Sequence, residues 1–142
     1  MDVAGTRAVQ CVVVTPERAV LDEQVDFVAL PMYDGELGVL PGRAPLIGRL
    51  GYGELRTRRG AETERFFVDG GFAQVRSNVV TVLTPRAMRA EEIDVAAARA
   101  ALEDAQQPAA TPEEQTKRLQ AQERARAQLH MAGQREGSQA PH

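Results

Sequence analysis

Few side chains in this 142-residue sequence could carry reaction chemistry. The histidines are His130 and His142, the serines Ser77 and Ser138, and the cysteine Cys11. Serine catalysis needs a base in reach and commonly a strained GxSxG elbow, and neither serine lies in one. Zinc sites need Cys and His at set spacings, which are absent, so no metal is expected. Cys11 sits in the apolar run VQCVVV, can form no intrachain disulfide, and is expected to be a small buried hydrophobe. Asp34 and Glu36 are paired carboxylates flanking a glycine turn, a place for solvated rather than catalytic acids. Gly35, Gly38 and Gly42 hint at a phosphate cradle, but GxxxxGK[ST] is missing, and Pro45 with the strand-like Leu46-Ile47 leaves no helix behind Gly42. Basic residues are not interleaved with aromatics, and the net charge is −3, so a nucleic-acid platform is not expected. Neither an enzyme nor a cofactor is expected.

Such residues need a scaffold, and the sequence divides into two kinds of scaffold near Pro85. Before it, short runs rich in Val and Phe are separated by Gly and Pro. After it, Ala, Glu, Gln and Arg dominate. The first part is expected to form strands over Val9–Val14, Arg18–Asp22, Val25–Leu30, Leu46–Leu50, Gly53–Arg58, Glu64–Val68, Phe72–Arg76 and Val79–Thr84. Turns are expected at Thr15-Pro16, Asp34-Gly35, Pro41-Gly42, Arg59-Gly60, Asp69-Gly70-Gly71 and Ser77-Asn78. Short strands so spaced imply an antiparallel β-sandwich or barrel. Several strands are apolar on both faces, as in Phe66-Phe67-Val68 and in Val79-Val80 followed by Val82-Leu83. That surplus exceeds one small core, and either the chain's own helices or a partner protein covers it. In the glycine-rich segment, Leu37, Val39 and Leu40 are either presented on a stiff exposed loop or packed inside an Ω-like one.

The second part is expected to be an antiparallel two-helix hairpin. The first helix spans about Asp94 to Gln106, and Pro108 breaks it. The second opens at Thr111-Pro112-Glu113-Glu114, with Thr111 as cap, Pro112 at the first helical position and Glu114 closing a capping box. Gly133 is expected to end it, and residues 134–142 to be disordered. Both helices offer few large apolar anchors, so the hairpin either rests statically on the sandwich or docks weakly enough to leave it. The expected domains are 1–87, 88–133 and the tail. The N-terminal MDVAGTRAVQ lacks the pattern of a secretory signal, and no apolar run is long enough to span a bilayer.

Three ordered blocks carry a resemblance. GELGVLPGRAPL, Gly35 to Leu46, is similar to the characteristic loop of the epsilon subunit of bacterial F-type ATP synthase, the counterpart of mitochondrial delta. VVTPERAVLDEQVDFVALP, Val13 to Pro31, resembles that family's opening strands, and FFVDGGFAQVRSNVVTVL, Phe66 to Leu83, its closing ones. The resemblance spans roughly Val9 to Leu129. It implies an α+β chain, a sandwich followed by a helical hairpin, in the rotor's central stalk on the cytoplasmic face of the bacterial inner membrane. The sandwich would bind the gamma subunit through Thr15 and Arg43, and the membrane c-ring through Asp34, Gly35 and Glu36. It would pass c-ring rotation to the catalytic head. The hairpin would inhibit ATP hydrolysis by reaching the alpha/beta head with Lys117, Arg118, Arg124 and Arg126. The alternatives are coupling without inhibition, or an ATP-sensing hairpin. Family members that bind ATP there carry [IL]DxxRA. Ile93 and Asp94 match, but Ala97 replaces the Arg, and Arg99 lies about 200° further around a helix. Weak or absent ATP binding is therefore expected, with Asp94 equally well a helix cap.

Overall fold

A computed structural model describes residues 8–139, with side chains as far as Gly133. The chain forms two compact units, divided at Arg89/Ala90, two residues past the boundary expected from sequence.

The first unit is all strand: β1 (Val9–Val14), β2 (Ala19–Val25), β3 (Phe27–Met32), β4 (Gly35–Val39), β5 (Leu46–Arg59), β6 (Glu62–Arg76), β7 (Val79–Leu83) and β8 (Ala87–Arg89). They make one continuous sheet in the order β2-β1-β7-β6-β5-β3-β4, with β8 also on β6. The neighbours pair antiparallel except β1 and β7, which run parallel.

The expected turn at Asp69-Gly70-Gly71 is not a turn, and Gly51-Tyr52, left between two expected strands, is not a break. Leu46–Leu50 and Gly53–Arg58 are halves of β5, and Glu64–Val68 and Phe72–Arg76 are halves of β6. These two places instead mark a crease. Leu50 pairs with Gly71 and Tyr52 with Asp69, so Gly51 and Gly70 face each other unpaired at the bend. Gly70 and Gly71 have φ of 75° and 104°, a region that side chains resist. A Cβ on Gly71 would overlap the carbonyl oxygen of Leu83. The long ribbon thus folds over with its ladder interrupted only at that pair, and its halves serve different layers. One layer is β2-β1-β7 with the second half of β6 and first half of β5. The other is β4-β3 with the second half of β5, the first half of β6, and β8.

Between the layers lies one apolar core, including Val9, Cys11, Val13, Val28, Leu30, Leu55, Phe66, Val75, Val80 and Val82. Alternation places these inward on each strand, because successive side chains point to opposite faces.

The glycine-rich segment departs from the loop expected. Gly35–Val39 is the edge strand β4, pairing Val28 with Val39 and Leu30 with Leu37. Val39 is buried, Leu37 half-buried, and only Leu40 stands exposed. Gly38 suits β4 because an added Cβ would lie 3.0 Å from the Phe27 ring.

The second unit holds a 3-10 turn (Ala90–Glu92), α1 (Val95–Ala105) and α2 (Pro112–Gln139). Asp94 caps α1, its carboxylate accepting from the Ala97 N–H at 3.0 Å. At α2, Thr111 Oγ1 accepts from the Glu114 N–H at 3.1 Å, as expected. The Glu114 carboxylate reaches the Ala110 N–H, one residue earlier than a capping box requires. Gly133 does not end α2, which continues to Gln139. A helical Gly costs only about 1 kcal/mol against Ala, too little to stop a helix already running. Of the segment expected to be disordered, 134–139 continue the helix, and 140–142 lie outside the described residues.

Candidate functional site

The two layers turn unlike faces outward. On the β4-β3-β5-β6 layer, charges meet across strands. Glu36 of β4 accepts from Arg56 of β5 at 3.3 and 3.4 Å. Arg56 also contacts Glu54 at 3.5 Å, and Arg65 of β6 contacts the other oxygen of Glu54 at 2.9 Å. Burial opposes the charge on Arg56, but the hydrogen bond and charge of Glu36, with the charge of Glu54, outweigh it and hold Arg56 above the ordinary arginine range. Beside this ladder the Arg58 guanidinium lies 5.0 Å from the centre of the Phe27 ring. This face satisfies its own charges.

The outer face of the other layer sets large exposed apolar side chains among polar ones. Three cross-strand rows cover it. Ile47 aligns with Gln74, Thr81 and Val12; Arg49 with Phe72, Leu83 and Val14; Arg76 with Val79 and Gln10. Ile47, Phe72 and Leu83 are 74%, 55% and 54% exposed, and Val79 also projects outward. Large apolar side chains clustered in neighbouring rows mark a contact surface better than scattered ones. A shallow groove of about 340 Å³ runs along one border, lined by Pro45, Leu46, Ile47, Gln74, Val75 and Arg76.

Thr15 and Arg43, the residues expected at the gamma interface, lie at opposite ends of this face. Thr15 follows Val14, which pairs with Leu83. It is buried, and its hydroxyl donates to the Arg18 carbonyl at 3.1 Å, so the turn rather than the hydroxyl is on offer. Arg43 is exposed in the β4–β5 connection. That connection is tied to the β6–β7 turn by the Gly42 N–H, which donates to Asn78 Oδ1 at 2.7 Å. Ser77 and Asn78 both have positive φ, 51° and 62°, which tight hairpin turns demand.

The expected c-ring contacts, Asp34, Gly35 and Glu36, form the β3–β4 turn and the start of β4. They line a cleft of about 620 Å³ together with Met32, Tyr33, Leu37, Leu46, Ile47, Gly48 and Arg49. The Arg49 guanidinium stacks 4.6 Å from the centre of the Tyr33 ring, at the border of the apolar face. The cleft therefore adjoins that face through Ile47 and Arg49.

In the second unit, Lys117 and Arg126 are exposed, Arg124 is half-buried, and Arg118 is engaged within the hairpin. Asp94 is committed to capping α1. No cluster of three or more metal-ligating residues occurs among the described residues, and none of their helices is long and apolar enough to cross a membrane.

Leu83 lay in the Val79–Leu83 run read from sequence as surplus apolar surface, but Ile47 and Phe72 were not singled out for a contact surface. A signal did exist: in FAQVR the period of two sets Phe72 on the same side as Gln74 and Arg76, a polar side. The Glu36-Arg56-Glu54-Arg65 ladder had only the weak signal of alternating charge.

Comparison with known proteins places these features in a family. Residues 8–90 match the model of the ATP synthase delta/epsilon chain β-sandwich domain. An ATP synthase epsilon chain of Rhodopirellula baltica is 55% identical over 123 residues, covering 86% of this chain and 96% of the relative. One from Nitratidesulfovibrio vulgaris is 43% identical over 124 residues, covering 85% and 92%. Among solved structures, a chain of the Euglena gracilis mitochondrial ATP synthase, in an OSCP/F1/c-ring assembly, superposes with a TM-score of 0.69 at 25% identity, covering 94% of this chain and 82% of that one. A chain of the Tetrahymena thermophila mitochondrial enzyme's central stalk and c-ring superposes at 0.68 with 15% identity, covering 87% and 96%, a likeness of fold.

Proposed function

We propose a function from one premise: this chain belongs to the delta/epsilon family of ATP synthase. It serves as a non-catalytic subunit of the rotor's central stalk in an F-type synthase, and it couples the c-ring to the catalytic head. The observation that carries this reading is the asymmetry of the sandwich, with one outer face charged and internally paired and the other carrying the exposed apolar side chains Ile47, Phe72, Leu83 and Val79. The open face, bounded by the Thr15 turn and the Arg43 connection, is the seat for gamma. The adjoining Asp34–Glu36 turn meets the polar loops of the c-ring. Gamma and ring then contact one continuous strip of the sheet. A creased ribbon that stays paired on both sides of the bend is stiff, which suits torque transfer.

The hairpin regulates hydrolysis. Lys117 and Arg126 are exposed on opposite sides of α2 and available to acidic surface on the alpha/beta head, with half-buried Arg124 on the Lys117 side. The subunit would sit peripherally on the cytoplasmic side of the bacterial inner membrane, joined to it through the c-ring.

Placing Glu at Phe72 and Leu83 tests the seat, because both side chains point out of the sandwich. Each loses about 1.5–3 kcal/mol of apolar burial in a complex, so gamma affinity should fall at least about tenfold per site. Titration of purified gamma would measure it. Unaltered affinity in the double variant, with an unaltered far-UV spectrum, would remove this face as the seat.

A further inference from the structure

The end of α1 is finished by α2. An α-helix leaves its last four carbonyls without intrahelical donors, and they form the negative pole of its dipole. Helices meet this need with a left-handed Gly or with basic residues in the last turn. Here α1 has neither, since Gln106 at its C-cap is right-handed and its last turn holds no basic residue. The connection closes part of the end itself: the Gln106 N–H donates to the Leu102 and Glu103 carbonyls and the Gln107 N–H to the Asp104 carbonyl, which leaves the Ala105 carbonyl for a donor from elsewhere.

Two side chains of α2 complete the end, one as a second and charged donor to the Asp104 carbonyl and one as the donor to the Ala105 carbonyl. Arg118 Nη1 donates to the Asp104 carbonyl at 2.8 Å. Gln122 Nε2 donates to the Ala105 carbonyl at 2.9 Å. They sit four residues apart, so they reach from adjacent turns of one face. Arg118 Nη2 is held by Glu114 at 3.0 Å, and Glu114 accepts from the Ala110 N–H at 3.3 Å in the connection itself. The chain of contacts runs from the connection through Glu114 and Arg118 to the end of α1. Of the rest of Arg118, its Nε is buried without a partner.

Apolar packing does little to replace these bonds. The buried residues of α1 are Ala98 and Ala105, each with little surface to remove from water. An 11-residue helix is marginal on its own. We propose that Arg118 and Gln122 are the clasp that holds the hairpin shut, with Arg118 a positioning residue rather than a standing contact for a partner. A carboxylate on another protein that drew the Arg118 guanidinium off the Asp104 carbonyl would loosen the hairpin, so such binding and closure of the hairpin oppose each other. This deepens the regulatory part of the function proposed above.

Native-state hydrogen exchange on the full chain tests the clasp, because α1 released from α2 frays. In the variant Arg118→Met with Gln122→Met, both good helix formers, protection across α1 should fall at least about tenfold. Protection at Leu55 and Phe66 in the sandwich should stay unchanged. Lys117→Met with Gln120→Met removes the same cation and amide from exposed positions and should leave α1 protected. Unchanged α1 protection in the clasp variant, or an equal loss in the exposed-site variant, would overturn the proposal. The measurement uses the chain alone, so an absence of ATPase inhibition would leave the clasp standing, and a failed clasp would leave the stalk reading standing.

Discussion

Cys11 shows how burial silences a residue that in isolation is the chain's best nucleophile. It lies in the core, and burial first, then the charges of Glu23 and Asp22, push its thiol up to about 12. At pH 8 the folded protein should therefore react with iodoacetamide about a thousandfold more slowly than the unfolded chain, before any loss of access is counted. The sign of the linkage follows. The raised value contributes stability that is complete below the ordinary thiol range and is lost as pH rises from there toward about 12. Rapid alkylation under native conditions would contradict this placement. Thr15 makes the same point for a hydroxyl: its bond to the Arg18 carbonyl leaves the turn, not the side chain, to meet a partner.

Among the elements, the β5–β6 ribbon decides the architecture. Its crease depends on Gly51 and Gly70 facing each other and on Gly71 lying against the Leu83 carbonyl. Gly71→Ala should destabilise the chain by about 3 kcal/mol or more, because a strained φ and a backbone overlap add together. Gly35→Ala also meets a positive φ, 134°, but has nothing within 4 Å of the new Cβ. It should cost only about 1–2 kcal/mol. Denaturant midpoints of the two variants compare them directly, and equal losses would mean that the crease is not set by Gly71. The β4 edge strand follows from the same nonlocal pairing, since its Val39 and Leu37 find burial only against β3 and the core.

For the whole molecule, the division at Arg89/Ala90 separates an all-strand unit from a helical one. The main apolar cluster draws wholly on the first unit, so a chain ending at Ala90 should retain the sandwich and bind gamma. Titrated into the cognate head-plus-gamma complex, the full chain should reduce ATP hydrolysis several-fold and the shortened chain should not. Equal activity with both, each bound by gel filtration, would leave a coupling subunit whose hairpin does not inhibit. Binding by neither would defeat the stalk reading itself.

The sequence by itself determined what depends on near neighbours. The strand-then-helix order, the cap at Asp94, the start of α2 at Pro112, the hairpin turns at Gly60 and Ser77-Asn78, and the family were legible because turn chemistry, capping and periodicity act within a few residues. Tertiary structure alone decided whether Asp69-Gly70-Gly71 was a turn or a crease, since that rests on a facing strand. It also decided that Gly35–Val39 is an edge strand, that Phe72 and Leu83 face outward beside each other, and that Arg118 turns back onto α1. Each of these pairs residues 11 to 20 or so positions apart on the chain or joins them across a sheet. Local composition cannot specify such pairings, because the free energy that selects them comes from burial and hydrogen bonding between distant segments.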